Sequence, residues 1–245
     1  MGSMAPLSRA GVFILVSVWM AVALTRAAAA QKVEFDVAQH GHPVGTASCQ
    51  FTKNADGIES KSLVRVAMEG LDYALSKDEQ LSADRQIKHV QLNAAVNGEA
   101  VHVVVEPDSA QLLMNTSAAG KSTTTRLDAH AGAVVLADFD PGALETLLAV
   151  GAAQNGRDLW AVIPKQNGSI DPVQLATYAD QEGTLDGKPI AVHHLIATIA
   201  GANTDLFAGP ENQLLQAELP QEGFALVRKG FVLTPPTRPI APSTE

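Results

Sequence analysis

Cysteine is nearly absent from this chain. Cys49 stands alone, so no intrachain disulfide can form and the fold must hold by packing. Aromatic residues make up only 4% of the chain, and beyond residue 30 Trp160 is the sole tryptophan. This argues against the Trp- and Tyr-lined platforms of sugar and peptide sites. Positive charge is scarce as well. After residue 30 there are 15 Lys and Arg against 26 Asp and Glu, a formal charge of −11, with the bases scattered singly apart from Arg228-Lys229. Phosphate backbones demand clustered cations, so nucleic acid is excluded as a partner, and the acidic excess favours solubility over contact with anionic membranes. No later apolar run approaches the roughly 20 residues of a spanning helix. No Gly-x-Ser-x-Gly elbow occurs, and no motif implies a cofactor.

The first 30 residues have the layout of a secretory signal. Arg9 supplies a positive start, Gly11 to Leu24 is apolar apart from Ser17, and Ala28-Ala29-Ala30 offers small residues for cleavage. The apolar run is about 14 residues, short for a membrane anchor. The expected product is an exported protein, periplasmic or extracellular, beginning near Gln31 and with no membrane span after cleavage. No cysteine follows the small residues to carry a lipid.

Turn signals then recur at hairpin spacing: Asn54-Ala55-Asp56-Gly57, Asn97-Gly98, Asn167-Gly168 and Asp186-Gly187. Segments of period two lie between them. Val90, Leu92, Ala94 and Val96 alternate with His89, Gln91, Asn93 and Ala95, and Ala47, Cys49 and Phe51 alternate with Thr46, Ser48, Gln50 and Thr52. The pattern predicts 15 strands in all, among them 133–138, 172–182, 211–219 and 223–232. An antiparallel meander of that size must curl, so the expected fold is all-β, a barrel or half-barrel over residues 31–233. One short helix interrupts it, with Asp140 as N-cap, Pro141 in the first turn, a stripe of Leu144, Leu147 and Leu148, and an end near Gly151. It is expected to plug or flank the mouth of the sheet. Residues 234–245, rich in proline, are expected to form a disordered tail.

Several motifs invite chemistry. Asn115 to Ser122 ends in Gly-Lys-Ser, but Asn115 stands where a phosphate loop needs glycine and Thr123-Thr124-Thr125 reads as strand, so a hairpin loop is expected. His40, His42, His193 and His194 suggest a metal site or a metal-dependent hydrolase. Adjacent strand residues face opposite ways, however, so His193 and His194 cannot both ligate one ion. The turn histidines are expected to be solvated, and one of the strand pair to be held by a hydrogen bond. Cys49 shares a face with Ala47 and Phe51 and reads as a buried, unreactive thiol. Asp138, Asp140, Asp78, Glu79 and Asp84 read as solvated loop acids.

The strand Val33-Glu34-Phe35-Asp36-Val37, the following Gly41-His42-Pro43-Val44-Gly45, and the closing segment from Asp205-Leu206-Phe207 through Leu214-Leu215-Gln216-Ala217-Glu218-Leu219-Pro220 resemble a family of uncharacterised bacterial periplasmic proteins. These have a curved antiparallel sheet related in shape to the outer-membrane lipoprotein carriers. The resemblance implies a fold and carries over no catalytic residue. The leading expectation is a non-enzymatic envelope protein that binds an apolar small molecule or an apolar segment of an envelope protein. Val64, Val66, Met68, Val90, Leu92, Val101, Val103 and Leu113 are the candidate lining by periodicity. The alternatives are the His-dependent hydrolase and a structural or assembly protein with a solid interior.

Overall fold

The computed structural model describes residues 31–165 and 168–235. The expected signal, and the tail beyond residue 235, lie outside them. The first run of strands is β1 (Lys32–Gln39), β2 (His42–Asn54), β3 (Gly57–Met68), β4 (Leu71–Ser82), β5 (Ile87–Val96), β6 (Glu99–Asp108), β7 (Gln111–Ala118), β8 (Lys121–Asp128) and β9 (Ala133–Val135). Helix α1 (Pro141–Ala153) follows. Then come β10 (Leu159–Ile163), β11 (Ser169–Thr177), β12 (Gln181–Leu185), β13 (Lys188–Ile199), β14 (Ala202–Ala208), β15 (Leu214–Leu219), β16 (Phe224–Arg228) and β17 (Phe231–Leu233).

The strands from β1 to β8 form an uninterrupted antiparallel meander. The Asn97-Gly98 and Asp186-Gly187 turns take the two positive φ angles expected of tight hairpins. At Asn54 the side-chain Oδ1 accepts from the backbone N–H groups of Asp56 and Gly57 and fixes the β2–β3 turn. The Gly120-Lys121-Ser122 stretch lies at the β7–β8 hairpin, as its β-branched sequel implies.

The other edge of β1 pairs with β16, and the ladder continues through β15, β14, β13, β11 and β10 to β9. A single sheet therefore curls from β8 to β9 without closing. The β9–α1–β10 unit is a parallel crossover, a departure from a pure meander. Buried on both sides, Ala133-Val134-Val135 and Leu159 to Val162 read as apolar runs rather than alternations.

The expected strand 172–182 is one path broken in the middle. Thr177 pairs with Leu195 and Gln181 with Val192, so three residues, 178–180, stand opposite His193 and His194. This one-residue bulge redirects the path: β11 stays with the main sheet, while β12 joins β17 in a small outer sheet. The expected strand 223–232 also splits, at Lys229-Gly230, where Gly230 has φ +82°. Beyond that bend β17 leaves β16 for β12. The outer sheet covers a second, small core of Val192, Phe207, Leu215 and Phe231.

The main core fills the concave face, and α1 lies within it. Asp140 accepts from Gly142 and Ala143 N–H through Oδ1, capping the helix as its sequence predicts. The helix runs two residues past Gly151 and buries Pro141 to Ala143 and Glu145 to Gly151 against β2, β3, β9, β10 and β15. Buried almost all round, it is a fixed plug.

Candidate functional site

Three rows of inward side chains cross the face of β3 to β6. One runs Val64, Leu75, Ala94, Val101, the next Ser62, Lys77, Leu92, Val103, and the third Ser60, Glu79, Val90, Val105. All four residues of the third row are buried. In the first row Ala94 stands between Leu75 and Val101, and the missing volume leaves space.

A cavity of about 340 Å³ opens there, lined by Leu71, Tyr73 and Leu75 of β4, Leu92, Ala94 and Val96 of β5, and Val101 and Val103 of β6. Its outer wall is the Ala137-Asp138-Phe139 strap ahead of α1, with Pro164 and Lys165 after β10. A second cavity of about 340 Å³ lies across the strap, bounded by Met68, Leu136, Leu144, Ile199, Leu219, Phe224 and Leu226 among others. Leu71, Ala137, Asp138, Phe139 and Lys165 border both, so the two are lobes around one partition. Phe139, at φ +55°, meets Tyr73 and Phe224 edge-on at centroid distances of 6.0 and 4.9 Å. At the rim Lys165 Nζ contacts Asp138 Oδ1 at 2.7 Å, both side chains exposed. Burial, then Asp138 and Asp140, push the Tyr73 phenol up, so it stays neutral.

The sequence-predicted lining divides. Leu92, Val101 and Val103 border the first lobe and Met68 the second. Val64, Val66 and Val90 face inward but are packed into the core. Leu113 is on the outer face: Leu112 and Met114 take the inner positions, so that strand is one residue out of phase with its expected orientation.

Beside the lobes lies a polar cluster that the sequence reading missed. Lys77 points inward from β4, its Nζ 2.8 Å from Asp140 Oδ2 and 3.0 Å from Glu79 Oε2, and all three side chains are fully buried. Thr146 of α1 donates to the same Glu79 oxygen at 2.9 Å and to Gly142 O at 2.9 Å. Ser60 and Ser62, opposite Glu79 and Lys77, present hydroxyls to Gly142. Glu79 and Asp140 are thus interior, a correction to their reading as loop acids, whereas Asp78 faces out to Lys61. Burial pushes the Glu79 carboxyl up. It also opposes charge on Lys77, but the two carboxylates outweigh it and hold the ammonium above its usual range. An even parity of two through Tyr73, Leu75, Lys77, Glu79 and Leu81 was the available signal.

Cys49 is buried, and burial raises its thiol far above the reactive range. The histidines stay apart. His193 Nδ1 meets Asp180 at 2.9 Å, whereas His194 stacks on Phe207 and uses Nε2 on Asp205 at 2.7 Å and Nδ1 on Gln181 at 3.4 Å. Both ring nitrogens of His194 are engaged, which leaves neither to bind an ion or activate a nucleophile. His40 and His42 lie exposed at the β1–β2 turn, and His40 rests against Gly223. The registers place His194 opposite Phe207, Gln216, Val227 and Asp36 in turn, so four strand spacings of about 4.8 Å separate β13 from β1. Among the described residues no group of three or more His, Cys, Asp and Glu is arranged to hold a metal.

The fold finds a counterpart in a solved structure. The chain shares its fold with a bacterial protein. The crystal structure of a beta-barrel-like protein of domain of unknown function DUF1849 from Brucella abortus matches with a TM-score of 0.54 and 11% identity, over 83% of this chain and 97% of that one. At that identity the likeness is one of fold. No family model matches the sequence, and no curated protein does. Among the described residues no helix is long and apolar enough to cross a membrane.

Proposed function

We infer that this chain is an exported, non-enzymatic binding protein of the cell envelope and that its two-lobed cavity takes the hydrocarbon of a lipid-like ligand. The observation that carries this reading is the gap at Ala94, where an otherwise filled inner face leaves an apolar space reaching the surface beside Lys165. Its size falls in the range of small-molecule sites, roughly 300–1,000 Å³. Each ligand methylene buried there contributes about 0.8 kcal/mol. The first lobe is walled mainly by aliphatic side chains, with Tyr73 and Phe139 beside them, which suits an acyl chain better than a sugar or a peptide. Lys165 at the rim offers an ammonium to an anionic head group in exchange for Asp138. The leader-like residues 1–30 support export, and the fold shared with a bacterial barrel-like protein is compatible with an envelope role. The open space favours ligand binding over a purely structural interior.

The test is displacement of a fluorescent fatty acid, together with a native mass spectrum of protein purified from its own host. Bound lipid, or a probe that added fatty acid displaces, is expected. Ala94→Trp, which fills the first lobe, is expected to weaken probe binding by about tenfold or more, equivalent to about 1.4 kcal/mol. Absence of both bound lipid and displaceable probe would overturn the reading.

A further inference from the structure

The Lys77–Glu79–Asp140 cluster holds an amine between two carboxyl groups, all three side chains fully buried. We propose that Lys77 and Asp140 become joined by an intramolecular isopeptide bond between Nζ and Cγ, with Glu79 as the proton relay. The amine nitrogen and the carboxyl that would acylate it are already in contact, Nζ 2.8 Å from Oδ2, held by a strand on one side and a helix cap on the other. Such fixed proximity replaces the encounter that makes amide formation between free groups negligible. The site is closed to solvent, which removes the water that opposes condensation.

The steps balance. One proton passes from the Lys77 ammonium to Asp140 along their contact, giving –NH₂ and –COOH. The nitrogen lone pair adds to Cγ, and negative charge gathers on Oδ1. That oxygen already accepts from the N–H groups of Gly142 and Ala143 at 2.9 and 3.2 Å, a ready-made oxyanion hole at the helix N-terminus. Glu79, 3.0 Å from Nζ, takes a proton from the nitrogen and returns one to Oδ2. The Cγ–Oδ2 bond breaks and Oδ2 departs as water. Amine plus acid gives amide plus water, Glu79 ends as it began, and nothing is oxidised or reduced. The hydroxyls of Ser60 and Ser62 and Glu79 Oε1, buried and without a partner among the described residues, can receive that water. Thr146, by donating to Glu79, keeps the relay aimed at Nζ. Because Oδ1 survives as the amide carbonyl, the helix keeps its cap after the bond forms.

Two measurements decide the matter on the wild-type protein. The expected results are an intact mass one water below that of the processed sequence, and a branched tryptic peptide joining the Lys77 and Asp140 segments. Under denaturing conditions an amine-acylating reagent should leave Lys77 unmodified while labelling the other lysines. Glu79→Gln, close to isosteric, is expected to fold with Lys77 free and the full mass restored. A wild-type protein of full mass whose Lys77 is acylated in denaturant would overturn the proposal. A Glu79→Gln protein that still loses water completely would overturn the role given to Glu79.

Discussion

Glu145 makes its own contribution to the pH dependence of stability. It is buried on α1 and accepts from Leu214 N–H at 3.2 Å. Burial pushes its carboxyl up, against the opposing pull of that N–H, Arg228 and Cys49. The folded state therefore holds this proton more tightly than the unfolded state. The stabilisation is complete below the ordinary carboxyl range and is lost as pH rises through the raised folded value. Glu145→Gln, which stays neutral and keeps an acceptor for Leu214, is expected to be the more stable protein at neutral pH. Thermal melts from about pH 4 to about pH 8 should show the gap between variant and wild type widening upward. A constant or narrowing gap would contradict this account.

At the scale of elements, the seat of α1 is set by Gly142. A Cβ there would collide with the hydroxyls of Ser60 and Ser62, so the close approach of helix to sheet requires glycine even though alanine has the better helix propensity. Gly142→Ala is expected to cost about 1–3 kcal/mol by overpacking, read as a lower denaturation midpoint. In a Ser60→Ala, Ser62→Ala background the same change should cost much less. Other elements show what the sequence could and could not disclose. The cap at Asp140-Pro141, the Asn97-Gly98 hairpin and the alternation of Val90 to Val96 are local devices and were legible. The interior Lys77 was not, because Asp140, one of its two carboxylate partners, comes from 63 positions away and only tertiary structure brings it to the buried ammonium. Leu113 misled for the opposite reason: Leu112, Leu113 and Met114 are all apolar, so a period of two has no phase there. The lobes lay beyond any reading of pattern, since a void reflects how side-chain volumes sum across strands.

At the scale of the molecule, the outer sheet and the main sheet depend on the same C-terminal strands. Phe224–Arg228 covers the second edge of β1, and Phe231–Leu233 completes the small sheet over Phe207 and Leu215. A chain ending at Gly223 is expected to expose three backbone edges, of β1, β15 and β12, and to aggregate, measured by size-exclusion chromatography. A monomer with native strand content by circular dichroism would refute this. If the isopeptide bond forms, it closes a loop of about 60 residues, and by the loop-closure argument used for disulfides it would add about 4 kcal/mol against unfolding.

The pairing of Phe35 with Arg228 and Val37 with Leu226 has a further consequence for the newborn chain. A ribosome delivers the amino end first, so the opening strand is available long before its second neighbour exists. Throughout that interval its unmatched amides and carbonyls are free to stitch onto another copy. Folding of this molecule therefore leaves its earliest segment open to mispairing until the last hairpin arrives.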